Sequence, residues 1–349
     1  MKQTLVVVGT RPEAIKLAPV AIQLGDHGRV CLTGQHTASA NQVLEVFGLK
    51  PMANLSLMQA GQSLGRLTAR AIKQLDLCFG DLVPRTELIV VQGDTTSAFA
   101  AALVGFYYRV PVAHIEAGLR THNVNSPWPE EMNRRLITRL ASVHFAPTFS
   151  AQRNLLAENV PADRIHMVGN TVVDAIRLMD VDRTQPDRPT VVITMHRREN
   201  HLRLGQALIA INLVAKRFPG HHFVFPVHHN PEVVKAVGRV QWESNVELIC
   251  SMNYREFIRM LATASLVMTD SGGVQEEAAC LGRPLLILRD ETERPEVFET
   301  QPDALVGLDP DKIVDRASKV LMERDSFRAS LLFGDGHASE KIVSVLEKL

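Results

Sequence analysis

Runs of four or five apolar, mostly β-branched residues alternate along this chain with longer stretches of helical periodicity, almost from end to end. The runs at Leu5–Val8, Leu88–Val91, Val112–Ile115, Val143–Ala146, Val191–Thr194, Phe223–Pro226, Val246–Ile249, Leu266–Thr269 and Leu285–Leu288 read as strands. They do not alternate apolar with polar, so both of their faces must be covered. Parallel sheets flanked by helices meet that requirement. At 349 residues the chain is too long for one ordinary core, given about 150 residues per domain. The segment Met179–Pro189 is polar, holds two prolines and lacks apolar periodicity, as an interdomain linker does. The expected organisation is a Rossmann-like domain over 1–178, a linker over 179–189, and a second such domain over 190–335. A C-terminal helix over 336–349 can pack back on the first domain. The fold class is α/β, two doubly wound domains facing a cleft.

Composition narrows the function classes. Lys plus Arg balances Asp plus Glu, 38 against 38, so whole-molecule attraction to nucleic acid or to an anionic membrane is not expected. No stretch approaches the roughly 20 apolar residues that span a bilayer, and MKQTLVVVGTRPEA reads as a first strand rather than a signal peptide. Cys31, Cys78, Cys250 and Cys280 lie far apart without metal-ligand spacing. They fit a reduced, cytoplasmic compartment, and no metal site is expected.

In open α/β sheets ligands bind beyond the carboxyl ends of the strands, and the unusual chemistry of this chain is concentrated there. In TDSGGVQEEA a strand ends, Gly272 and Gly273 make a tight turn, and a helix begins. Small residues let backbone N–H groups approach a phosphate, and the helix N-terminus favours negative charge. Ser271 can donate a hydroxyl hydrogen bond there, and Glu277 can accept from ribose hydroxyls. A helix merely capped by Asp270 or Ser271 would show much the same pattern. GTRPEAIK brings Arg11 and Lys16 to the end of the first strand, with Pro12 suited to a first helical turn. MHRREN adds His196 and two guanidiniums, and RDETERPE adds Arg294. These can neutralise a leaving phosphate, although surface ion pairs account for such residues too.

Carboxylates follow other strands. Asp94 and Glu116 stand directly after Leu88–Val91 and Val112–Ile115, and Glu130 follows the proline-stiffened SPWP. Two acids at neighbouring strand ends can face one another, their repulsion raising one pKa and giving an unequal acid and base. Alternatively Asp94 caps a helix starting near Thr95, and Glu130 decorates another helix start. The G-x-G-x-x-G fingerprint is missing after the first strand, so no nicotinamide cofactor is expected. The residues by themselves lead to a nucleoside diphosphate site with acids opposite.

Together, GTRPEAIK, TGQH, QGDTTS, IEAGLRT, SPWPEEMNR, HFAPT, VGNTVVDA, HRREN, PVHHNP, TDSGGVQEEA, RDETERPE and GDGHAS strongly resemble the non-hydrolysing UDP-N-acetylglucosamine 2-epimerases, over nearly the whole chain. The resemblance implies a glycosyltransferase-B-like pair of Rossmann-type domains, usually a homodimer. It implies anti elimination of UDP to 2-acetamidoglucal, then re-addition with protonation from the opposite face, giving UDP-N-acetylmannosamine for surface polysaccharide supply. The family's nucleotide-binding positions fall on Arg11, Lys16, Phe257, Ser271, Gly273, Glu277 and Arg294. Its catalytic positions fall on Asp94, Glu116, Glu130 and His196.

Some bacterial members of this family bind a second UDP-N-acetylglucosamine. The residues implicated fall on Gln35, Glu130, Arg197 and His228, whereas Ala38 and Gly61 depart from the pattern. Met195 replaces the usual small residue before HRREN, and ERPEVFETQPDA lacks a loop glycine. The nearest alternative is a hydrolysing relative that releases UDP and N-acetylmannosamine. A sensor without catalysis fits poorly with four matching catalytic positions, and a glycosyltransferase would share the fold.

Overall fold

A computed structural model describes residues 2–34, 37–59, 61–82, 86–250, 252–323 and 331–349. The chain divides into two compact units, one of Met1–Leu178 with Phe333–Leu349, the other of Met179–Leu332. Gln35 lies outside the described residues.

The first unit is built on β1 (Thr4–Val8), β2 (Gly28–Leu32), β3 (Ala53–Asn54), β4 (Leu88–Gln92), β5 (Val112–Ile115), β6 (Val143–Ala146) and β7 (Ile165–Met167). These pair in parallel in the order β3-β2-β1-β4-β5-β6-β7. β1 and β4 are wholly buried, as strands covered on both faces must be. Leu5, Val7, Ile89 and Val91 pack into a core with Leu67, Ala71 and Leu75 of the helix Leu64–Leu77.

The second unit carries β8 (Thr190–Thr194), β9 (His222–Pro226), β10 (Val246–Ile249), β11 (Ala264–Thr269) and β12 (Leu285–Ile287), parallel in the order β10-β9-β8-β11-β12. Its core joins Val191, Ile193, Phe223, Phe225, Leu266 and Met268 to the helix Leu204–Arg217. Both units are Rossmann-like. In each, strand order reverses beside the first strand, at β1/β4 and at β8/β11, where ligand crevices form.

All nine strands read from the sequence are present, each within two residues of the expected bounds. β2, β3 and β7 were not anticipated. β2 opens with Gly28 and Arg29, and β3 and β7 have only two and three residues, too short for a periodic signal. Residues 180–189 contain no helix or strand.

Candidate active site

In the first unit the strand ends gather a carboxylate cluster. Glu116 follows β5 with φ +61°, a left-handed conformation that non-glycine residues seldom adopt. The backbone is pinned there, because Ala117 N donates to Phe145 O at 3.0 Å. The Glu116 carboxylate is buried and accepts from Lys16 Nζ, from Gln92 Nε2, and from Asn170 Nδ2 at 3.1 Å. Lys16 comes from the helix Arg11–Leu24 and is itself buried, so its charge is directed at Glu116. Arg11 begins that helix and is half-buried.

Asp94 lies in the turn after β4. It does not cap the next helix: Thr95 does, its hydroxyl accepting from Ala98 N at 3.0 Å. The Asp94 carboxylate instead pairs with Arg134, whose Nε and Nη2 donate at 2.8 and 2.7 Å. Glu130 is the first residue of the helix Glu130–Leu140 and half-buried. Its neighbour Glu131 is fully buried, accepting from Thr121 N and Arg134 Nη1, both at 3.1 Å.

Asp94 and Glu116 thus each pair with a cation of their own. Glu13, close by, is a carboxyl that is pushed up. Burial raises it from the ordinary 4.5 to about 7, against the pull of hydrogen bonds from Thr10 and Thr95, with Asp94 adding to the rise. Glu13 accepts from Thr10 Oγ1 at 2.7 Å, Thr95 Oγ1 at 2.8 Å and Gly9 N at 3.2 Å, joining the turns after β1 and β4. Behind them, His114 Nε2 donates to Gly93 O at 2.8 Å. Burial pushes His114 down to about 3 and its neighbour His144 to about 4, so both are neutral near pH 7.

The second unit assembles an anion-receptive turn. Ser271 is the N-cap of the helix Gly272–Cys280, yet its hydroxyl makes no capping bond. Nor does Asp270 cap that helix. Its fully buried carboxylate accepts from His196 N at 3.0 Å, Arg197 N at 2.9 Å and Asn200 Nδ2 at 3.0 Å, fixing the MHRREN segment after β8. The His196 ring lies 3.5 Å from Asp270 and stacks on His228, with centroids 5.3 Å apart. Burial holds this imidazole below its usual range, opposed by Asp270 and reinforced by Arg197.

The two glycines of the turn are not equivalent. A Cβ on Gly272 would sit 2.5 Å from Arg294 Nη1, whereas one on Gly273 would meet nothing within 4 Å. Gly272 thus admits the buried Arg294 guanidinium, which Glu276 holds at 2.7 Å and Glu293 at 2.6 Å. Glu277 accepts from Tyr254 Oη at 3.0 Å. Phe257, one turn beyond Tyr254 on the helix Tyr254–Ala262, is buried. Of the second-site residues, Arg197 and His228 thus lie with His196, and Glu130 belongs to the other unit.

Two of the departures, Met195 and the ERPEVFETQPDA loop, have structural roles. Met195 is buried in the core of the second unit. Gln301 accepts from Leu285 N at 2.7 Å and donates to Arg283 O at 2.9 Å, tying the altered loop to β12.

Sequence reasoning passed over Glu13, Gln92, Asn170 and Tyr254. Glu13, Gln92 and Asn170 stand inside quoted motifs, GTRPEAIK, QGDTTS and VGNTVVDA, which was the available signal.

The model for the UDP-N-acetylglucosamine 2-epimerase family matches residues 25–347. The chain is 40% identical to the UDP-N-acetylglucosamine 2-epimerase of Yersinia pestis over 374 aligned positions, covering 99% of this chain and 98% of that one. It is 39% identical to the Escherichia coli K12 enzyme of the same name, covering 99% and 98%. Among solved structures, UDP-GlcNAc 2-epimerase from Neisseria meningitidis bound to UDP-GlcNAc superposes with TM-score 0.91, at 39% identity over all of both chains. The Methanocaldococcus jannaschii UDP-GlcNAc 2-epimerase in complex with UDP-GlcNAc and UDP gives 0.86, at 31% identity over all of both chains. A family match across most of the sequence and full-length relatives at this identity lead to one assignment: the chain belongs to the UDP-N-acetylglucosamine 2-epimerase family.

Proposed function

We propose that the chain interconverts UDP-N-acetylglucosamine and UDP-N-acetylmannosamine without releasing free sugar, supplying precursors for surface or related polysaccharides. The observation that carries this is Glu116, in a chain of this family. It is a buried carboxylate held at a strand end by Lys16, Gln92 and Asn170 on a left-handed backbone.

A base removes the proton from carbon 2 while the bond from carbon 1 to UDP breaks, its electron pair leaving with the diphosphate. The product pair is 2-acetamidoglucal and UDP. In the return step a UDP oxygen bonds carbon 1, and a proton is delivered to the opposite face of carbon 2. Proton chemistry of this kind needs positioned acid–base groups, and the leaving diphosphate needs cations and backbone dipoles. Glu116 and Asp94 are assigned the proton transfers, with Glu130 assisting. Ser271, the N–H groups of Gly272 and Gly273, Arg294, Arg11 and His196 are assigned to the diphosphate. Glu277 and Phe257 are assigned to the nucleoside.

Proton NMR of UDP-N-acetylglucosamine incubated with the protein in deuterated water is the test. Deuterium at carbon 2 of UDP-N-acetylmannosamine is the expected result. Retention of hydrogen there rejects elimination, and free N-acetylmannosamine with stoichiometric UDP identifies a hydrolysing enzyme instead.

A further inference from the structure

The structure brings together two motifs of the sequence, VGNTVVDA and GDGHAS. Gly169 and Gly334 meet back to back, so closely that a Cβ on Gly169 would lie 3.1 Å from Gly334 Cα. One helical turn on, Asp174 is fully buried and accepts from Ala338 N at 3.1 Å, Ser339 N at 2.7 Å and Ser339 Oγ at 2.6 Å. The returning segment 333–349 is thereby clasped to the helix Thr171–Met179.

Between these contacts stands Asn170, only 2% exposed. Its backbone N donates to Phe333 O at 2.7 Å, and its Oδ1 accepts from Val172 N at 3.0 Å. The second is the bond that an asparagine at a helix start ordinarily makes, and the first reaches the returning C-terminal segment. The remaining group is not local: Nδ2 donates to Glu116 Oε1 at 3.1 Å, across 54 residues of sequence. Aspartate has the same shape and would keep both of these bonds, but would set a second carboxylate against Glu116. The amide is required by Glu116 alone.

We propose that Asn170 is a positioning residue for Glu116, held in place by the C-terminal segment that returns to the first unit. It fixes one carboxylate oxygen through Nδ2, leaving Lys16 and Gln92 to complete the orientation, while Phe333 fixes the Asn170 backbone. The consequence for turnover rests on Glu116 acting in proton transfer, as assigned above; the contact itself does not.

Asn170→Asp and Asn170→Ala separate these levels. In a double-mutant cycle on denaturant stability at pH 8, Asn170→Asp should be strongly non-additive with Glu116→Gln, because a Gln side chain removes the opposed charge. In turnover, Asn170→Asp should lower kcat at least tenfold and more than Asn170→Ala does, with KM changed less than twofold. Its deficit should shrink as pH falls and the introduced carboxyl regains a proton to donate. Additive stability effects, or a wild-type kcat for a folded Asn170→Asp, would overturn the proposal. A wild-type protein that exchanges no hydrogen at carbon 2 would instead reject the reaction, while the stability cycle would still measure the contact.

Discussion

Glu13 receives its hydrogen bonds from hydroxyls and backbone N–H groups, and neutral donors do not offset the cost of burying a charge. Its pKa, raised from 4.5 to about 7, has a definite consequence for stability. Between those values the unfolded chain has released the proton and the folded chain has kept it, so stability falls as pH rises. The contribution is complete below pH 4.5 and lost by about pH 7. His114 and His144 act oppositely, since they stay neutral in the fold while the unfolded chain protonates them below 6.5. Comparing Glu13→Gln with wild type cancels the histidines. From pH 5 to pH 8 the difference in unfolding free energy should move in the variant's favour by up to about 3 kcal/mol. Parallel stability curves would show that Glu13 does not titrate in this window. Apart from its place in GTRPEAIK, the sequence does not single out this acid, because a glutamate in a first helical turn ordinarily serves the helix dipole. Its burial follows from the meeting of the β1 and β4 turns. Asp94 and Glu116 stand out in the sequence because each comes at or just beyond the end of an apolar run, whereas the cations they pair with, Arg134 and Lys16, come from distant helices.

At the scale of elements, the central strands are written plainly, since burial on both faces demands continuous apolar residues. β3 and β7 owe their existence to neighbouring strands that supply hydrogen bonds, which local pattern does not record. The helix Gly272–Cys280 likewise hides a distinction that the letters of SGG do not show. A Cβ at Gly273 meets nothing, whereas one at Gly272 collides with Arg294. Gly273→Val should therefore fold with a thermal midpoint near that of wild type, yet lose the stabilisation by UDP. For wild type that stabilisation is about 2.7 kcal/mol at a hundredfold excess over Kd. Thermal shift assays with and without UDP decide it, and an undiminished shift in folded Gly273→Val would move the phosphate site elsewhere. Gly272→Val should instead lower the stability of the unliganded protein by dislodging Arg294.

For the molecule as a whole, the first unit is discontinuous in sequence, completed by Phe333–Leu349 after all of the second unit. Asp174 carries much of that closure, and Asp174→Ala would orphan buried donors at a cost on the order of 1–3 kcal/mol each. Hydrogen exchange measured by mass spectrometry should accelerate in 171–179 and 338–346 of this variant, with the strands of the second unit unchanged. Uniform acceleration throughout would show that the two units unfold as one. The order of elements has a bearing on synthesis as well. A ribosome making this chain releases 179–332 before it releases Phe333, so the nascent protein can fold a complete second unit while Asn170 still lacks its backbone partner. Asn170, and through it Glu116, is then fully anchored only after the second unit has been made, and a product cut short before Phe333 would lack that anchor.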